Sequence, residues 1–265
     1  MVTPQQIAEY IKKVPPLPQT LRDTLAALDA GELSAAARAA SKDPALIHYL
    51  RQVVNSAAYG FRNELNDAAQ IFSALGVQRA KQLLYAYMVA LLAPEKWRYF
   101  TLDNSGFRDF QAGMMARWER IVKALEADEK YLTAAAVLSA GLVVADAIFG
   151  DHASEVALIR ESGDYDLDTI LERVSRLNFE KLVDAIAKKW DVDPEVADLV
   201  SLAFGRRECE EETTRCRLAR MLHLLLFYEL SRPLMMDAGA NAFVSFRPEF
   251  SEPVLEKFQE VVAIA

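Results

Sequence analysis

Asp43-Pro44-Ala45-Leu46-Ile47-His48-Tyr49-Leu50-Arg51-Gln52-Val53-Val54-Asn55-Ser56-Ala57-Ala58-Tyr59-Gly60 is the stretch whose reading decides the fold. A capping carboxylate followed by proline at the first helical position is a strong helix start. Leu46, Leu50, Val53, Val54 and Ala57 then form one apolar stripe at helical spacing, and Gly60 supplies a left-handed stop. His48, Arg51 and Asn55 fall on the opposite side, at i, i+3 and i+7. That polar stripe has two readings, a solvated face or a buried Asn55 amide that bonds the free carbonyls of a helix end or neighbouring loop. On the second reading Asn55 and Ser56 are architectural, and Tyr59-Gly60 packs back on the helix.

The same period extends in both directions. Thr3 caps a short amphipathic segment to Lys13, and Val14-Pro15-Pro16-Leu17-Pro18 forbids a helix because proline lacks a donor and biases its predecessor toward extended backbone. Helical spacing returns from Thr20 to Gly31, and Ser34 is placed to cap the turn to Ala40. Asn66-Asp67 opens a helix that Gly76 ends, and a long helix runs from Val77 to about Ala93. Residues 95–106 read as a connection, with Trp97, Tyr99, Phe100, Phe107 and Phe110 in and after it. Most of these aromatic residues are expected to anchor helices, with one or two left exposed as a binding surface. Helices are expected at about 107–127, 131–149, 168–177, 179–190, 194–204 and 211–231, with 232–253 irregular and a last helix from Pro253. No alternating run is long enough for a sheet, and no fixed-period repeat is visible. The fold class is all-α.

Composition agrees. The chain has 265 residues, 52% hydrophobic, with ten glycines, ten prolines, two cysteines and three histidines. Such a chain buries a large core without staples, and it is unlike disordered or turn-rich β chains. The net charge of −8 is uneven, about +1 over residues 1–95 and −9 after them. Without a basic stripe, nucleic-acid binding is not expected. Nor is a membrane span, since the apolar stretches near 132–149 and 218–228 are short or carry polar residues. With no signal segment at the start, a cytoplasmic protein is expected. Cys209 and Cys216, seven apart on a presumed helix, are too distant for a disulfide and are expected as free thiols. Glu208 to Glu212 read as a negative helix start, with Arg215, Arg217 and Arg220 placed to pair with it.

Taken in order, Val14-Pro15-Pro16-Leu17-Pro18, Asp43-Pro44-Ala45-Leu46, Asn55-Ser56-Ala57-Ala58-Tyr59-Gly60 and Ala74-Leu75-Gly76 resemble the HDOD domain of bacterial signalling proteins. The resemblance is specific over residues 14–90. It is looser through about 205, carried by Ala140-Gly141-Leu142 and by Trp190 followed by Pro194, and residues 206–265 match only in having long helices. It implies a multi-helix fold with an N-terminal subdomain, residues 1–95, and a degenerate HD-like half, residues 96–265. The family-motif residues are Pro16, Asp43, Pro44, Asn55, Ser56, Tyr59, Gly60 and Gly76. It also implies a distant relation to HD-type metal phosphohydrolases, whose His-Asp pairs hold a divalent metal that activates water.

Where a catalytic relative would carry that pair, this chain reads Val143-Val144-Ala145, followed by Asp146. Valine and alanine donate no lone pair. Asp146, displaced along the helix, is expected to be buried or cavity-facing with backbone or arginine partners. Asp151-His152, a reversed pair, reads as loop, and His48 and His223 are remote in sequence. No catalytic residue, metal or cofactor is therefore expected. Glycine-rich phosphate loops are absent, and Asp43 and Asn66-Asp67 make two helix starts unsuitable for an anion. The expected function is a non-enzymatic signalling module that binds a partner protein. The alternatives are a small-ligand or nucleotide sensor using a vestigial pocket between the halves at Val144, Ala145 and Asp146, and a residual metal-dependent phosphohydrolase.

Overall fold

The structure, a computed structural model, describes residues 4–56, 61–209 and 213–263. Helices account for every regular element among these residues, and no strand occurs. By contact the chain divides into two units, residues 15–91 and residues 1–14 with 92–265. Residues 4–14 thus group with the larger unit rather than with the helices that follow them, and the division falls near 91 instead of 95.

The smaller unit holds α2 (Gln19–Asp29), α3 (Leu33–Ala40), α4 (Pro44–Val54) and α5 (Ala68–Leu92). Residues 15–18 carry no helix, as the prolines require. Asp43 caps α4, its carboxylate accepting from Ala45 N at 3.0 Å and Leu46 N at 3.1 Å. Leu46, Leu50 and Val54 are buried. Ser34 is no cap: Glu32 occupies that position with no side-chain bond, and Ser34 lies one residue inside α3. Asp67 caps α5 through Gln70 N at 2.8 Å. Gly76 breaks the helical path of α5 with φ +70° and ψ −177°. A side chain there strains the left-handed backbone, which is why the segment before it and the segment after it read as separate helices.

The larger unit holds α1 (Pro4–Lys13), α6 (Asn104–Ala124), α7 (Thr133–Gly150), α8 (Ala153–Glu161), α9 (Leu167–Ser175), α10 (Phe179–Lys189), α11 (Pro194–Leu202) and α12 (Thr214–Leu230), then a series of helices of three to five residues to residue 263. At the centre lies α7, in contact with α1, α6, α8, α10 and α11. All of its residues except Ala147 and Gly150 are buried. Residues 129–150 are long and apolar enough to cross a membrane, beyond the expectation from sequence, but 94% of that window is buried against the protein's own helices. An all-round apolar helix is what a core position requires. α8 was not foreseen: only Val156 on it is buried, so its apolar period is faint.

The aromatic cluster also corrects an expectation. Trp97, Phe100, Phe107 and Phe110 are buried and Tyr99 is half-buried. Trp97 packs on Phe107 with centroids 5.1 Å apart, and Tyr99 on Phe149 at 5.8 Å. None of the five is left exposed as a binding surface.

The cysteines give the plainest correction. Cys209 and Cys216 are joined in a disulfide with Cα atoms 6.0 Å apart, and neither thiol is free. Cys209 lies outside α12, which starts at Thr214, so the spacing of a continuous helix does not hold the two cysteines apart. Thr213, not a carboxylate, caps α12 through Cys216 N at 3.2 Å. Arg215 pairs with Asp198 at 3.3 Å, Arg217 donates to Thr214, and Arg220 lies over the Phe250 ring. Glu210, Glu211 and Glu212 lie outside the described residues.

Candidate functional site

The site begins on α7, where Val143, Val144 and Ala147 form one wall of a pocket of about 440 Å³. Leu182 and Ile186 of α10 form a second wall, and Ile11 and Val14 close it from the end of α1. Every lining residue belongs to the larger unit, so the pocket lies inside that unit and not between two halves. Polar groups stand at one end only. Arg98 forms an ion pair with Asp151 through Nη1, and its Nη2 donates to the Ala147 carbonyl at 3.4 Å. The Tyr10 hydroxyl donates to Asp151 Oδ2 at 2.5 Å.

These three groups set one another's charge. Partial burial first, then the hydrogen bond to Asp151, pushes the Tyr10 phenol up, so it stays a donor. The Tyr10 hydrogen bond and then Arg98 hold the Asp151 carboxyl below its usual range, against the opposing effect of burial. The rim is therefore one cation and one anion, mutually satisfied. Nothing local in the sequence signals it, because residues 10, 98 and 151 meet only in the folded unit. Asp151, half of the reversed His-Asp pair, lies in the turn between α7 and α8.

Asp146 faces away from the pocket. Its carboxylate, fully buried, accepts backbone N–H groups from Arg98 (3.1 and 3.2 Å), Tyr99 (2.9 Å) and Phe100 (3.1 Å). It anchors the connection into α6, with backbone partners as expected.

The HD-type metal does not fit these residues. Val144 and Ala145 offer no lone pair, and both Asp146 oxygens are engaged by backbone. His223, fully buried, shares its Nδ1 hydrogen with the Ala203 carbonyl at 2.8 Å while Nε2 accepts Arg247 N–H at 3.0 Å. Both ring nitrogens are thus used, in the neutral Nδ1–H tautomer that these partners require. Burial lowers the His223 pKa to about 4. His48 is exposed, and His152 lies 3.7 Å from Glu155. Among the described residues no three His, Cys, Asp or Glu side chains are grouped to hold a metal.

The polar stripe of α4 combines its two readings. His48, Arg51 and Asn55 are all exposed, which corrects the buried-amide expectation for Asn55. Yet the Asn55 amide does grip a neighbouring loop: Nδ2 donates to Leu65 O at 3.1 Å and Oδ1 accepts Leu65 N at 2.9 Å. Arg51 donates to the Asn66 carbonyl. Ser56 donates back to Val53 O at 2.7 Å. Pro16 is exposed in the non-helical entry. Tyr59 and Gly60 lie outside the described residues.

Two further buried polar groups gave no sequence signal. Asp168 accepts Phe179 N at 2.6 Å and binds Arg206 at 2.6 and 2.8 Å, and burial raises its carboxyl against these partners. Glu229, fully buried on α12, binds Arg117 of α6 at 2.6 Å and Arg232 at 3.2 Å. A Cβ at Gly113 would lie 2.8 Å from the Glu229 carboxylate oxygens, so glycine at this position of α6 leaves room for that side chain. Both groups brace helices rather than line the pocket.

Comparison with known proteins follows the same outline. The chain superposes on a crystal structure of an HDOD domain protein of unknown function from Geobacter sulfurreducens with a TM-score of 0.65 at 13% identity, covering 97% of this chain and 95% of the other. It superposes on a protein from Shewanella amazonensis, provisionally named a phosphohydrolase, with a TM-score of 0.64 at 15% identity and 97% coverage of both chains. At these identities the likeness shows the fold. Curated protein sequences yield no match. The sequence model of the HDOD domain matches residues 14–203, well over half of the chain. The chain belongs to the HDOD domain family.

Proposed function

We propose that this chain is a non-catalytic signalling module that works in the cytoplasm by binding a partner protein, without cofactor, nucleic acid or membrane. One observation carries the reading: the helix that would present a His-Asp pair presents Val144 and Ala145, and the adjacent Asp146 is engaged in holding residues 98–100. The frame of a hydrolase-like domain is kept while its ligand positions hold aliphatic side chains. A residue set that has lost its metal ligands but retained its helix packing suits a protein that presents a surface.

Two measurements test this. Protein purified without chelators is assayed with bis(p-nitrophenyl) phosphate in the presence of manganese, and the expected rate is that of the blank. Proteins captured from the cell extract of the source organism are then re-bound in purified form, and one of them is expected to form a complex of fixed stoichiometry. Turnover that needs metal and disappears in Asp146→Asn would overturn the non-catalytic reading. Absence of any reconstituted complex would overturn the partner reading.

A further inference from the structure

The pocket beside Val144 carries an inference of its own. Its volume of about 440 Å³ lies in the range of small-molecule sites. At roughly 30 Å³ of liquid per water, it takes a ligand of about fifteen non-hydrogen atoms. Its walls are aliphatic, and its polar groups are confined to the Tyr10–Arg98–Asp151 rim.

The charge state of that rim selects the ligand class. Arg98 and Asp151 neutralise each other, and the Tyr10 proton is committed to Asp151. An anionic group that reaches Arg98, by displacing Asp151 or through a remaining N–H, has Asp151 beside it as a second negative charge. A cationic group drawn to Asp151 meets Arg98. A neutral hydrogen-bonding group meets neither penalty, since the guanidinium keeps further N–H groups and the carboxylate further lone pairs. At the end of α1, Lys189 donates to Ile11 O at 3.1 Å and Lys12 O at 3.2 Å, so this ammonium is also partnered.

We infer that this pocket is a binding site for an uncharged, mainly aromatic or aliphatic small molecule bearing one hydrogen-bonding group, with the Tyr10–Arg98–Asp151 rim as its polar end. The site stands whether or not the chain acts through a protein partner. It narrows the sensor alternative by disfavouring nucleotides, whose phosphates find no unpaired cation at this rim.

The test is calorimetric titration of the full chain with three probes of one shape, β-naphthol, β-naphthoate and β-naphthylmethylammonium. β-Naphthol is expected to bind at one site per chain, with each charged analogue at least about tenfold weaker, a difference of about 1.4 kcal/mol. Val144→Phe fills the pocket from α7 and Leu182→Trp fills it from α10, and each is expected to lower β-naphthol affinity about tenfold. Circular dichroism establishes that a variant is folded before it is scored, and two variants on different helices keep one misfolded protein from deciding the result. Failure of β-naphthol to saturate, equal or tighter binding of β-naphthoate, or undiminished binding by a folded pocket-filled variant overturns the inference. Loss of this site leaves the phosphodiesterase and partner assays unaffected, so the two readings fail separately.

Discussion

Asn55 and Asp146 do the same work in two regions and at opposite burial. Each ends or lies near the end of a helix and grips the backbone of a connection with its side-chain oxygen. Asn55 is exposed and makes a two-bond clamp on Leu65. Asp146 is fully buried, and its carboxylate gathers the N–H groups of Arg98, Tyr99 and Phe100. At Asn55, water replaces lost bonds when the clamp opens. At Asp146 the carboxylate is fully buried, so the donors left behind, Phe100 N above all, bear more of the cost of desolvation. The comparison teaches that the same clamp is worth more where its oxygens and their donors are shut away from water.

The sharpest way to break that comparison is Asp146→Ala. It orphans three backbone donors, and the expected loss is about 3 to 4 kcal/mol in chemical denaturation. A loss no larger than that of Asn55→Ala would remove the distinction. Next in size is the pH dependence of His223, a third clamp, also fully buried. Its pKa is depressed from 6.5 to about 4 in the fold, so between these values the unfolded chain binds the extra proton. Its contribution is complete above pH 6.5 and is lost as pH falls through about 4, a total of about 3 kcal/mol. Denaturation at pH 7.5 and pH 5 captures about 2 kcal/mol of it. His223→Phe is expected to be less stable at the higher pH, where the Ala203 carbonyl and Arg247 N–H lose their partner, and to lose most of the dependence across this window.

What could be read in advance follows the same division between local and assembled features. The helices carry their own signals: Asp43-Pro44 starts α4, Gly76 interrupts α5, and proline keeps residues 15–18 out of helix. Asp146 was legible as a buried group because it sits among aliphatic neighbours on α7. The pocket rim was not, since Tyr10, Arg98 and Asp151 are separated by 88 and 53 positions and only packing brings them together. The buried ion pair of Glu229 with Arg117 was hidden for the same reason, 112 positions apart. The disulfide was misread through a single error of element: placing Cys209 on a helix made a bond impossible that a loop permits.

That disulfide supplies a covalent counterpart to the two clamps. It closes a loop of about eight residues, and the chain-entropy relation gives roughly 2.5 kcal/mol for such a ring. Reduction of the folded chain is therefore expected to lower the melting temperature by several degrees, with Cys209→Ser reproducing the effect and becoming insensitive to reductant. A reductant effect that persists in Cys209→Ser would place its origin elsewhere.

The smallest effect belongs to Asn55 and completes the comparison. Asn55→Ala removes both bonds to Leu65, but Leu65 N and O regain water, so the expected loss is about 1 kcal/mol. The signature is local rather than global. Hydrogen exchange at Leu65 is expected to accelerate, with little change in the buried amides of α4, whereas Asp146→Ala accelerates exchange across residues 98–100 and in α7 itself. Asn55→Asp keeps one acceptor for Leu65 N and loses the donor to Leu65 O, so it falls between wild type and alanine. If Asn55→Asp were instead as damaging as Asp146→Ala, the loop at Leu65 would be held by burial after all, and exposure would have been the wrong variable on which to separate the two clamps.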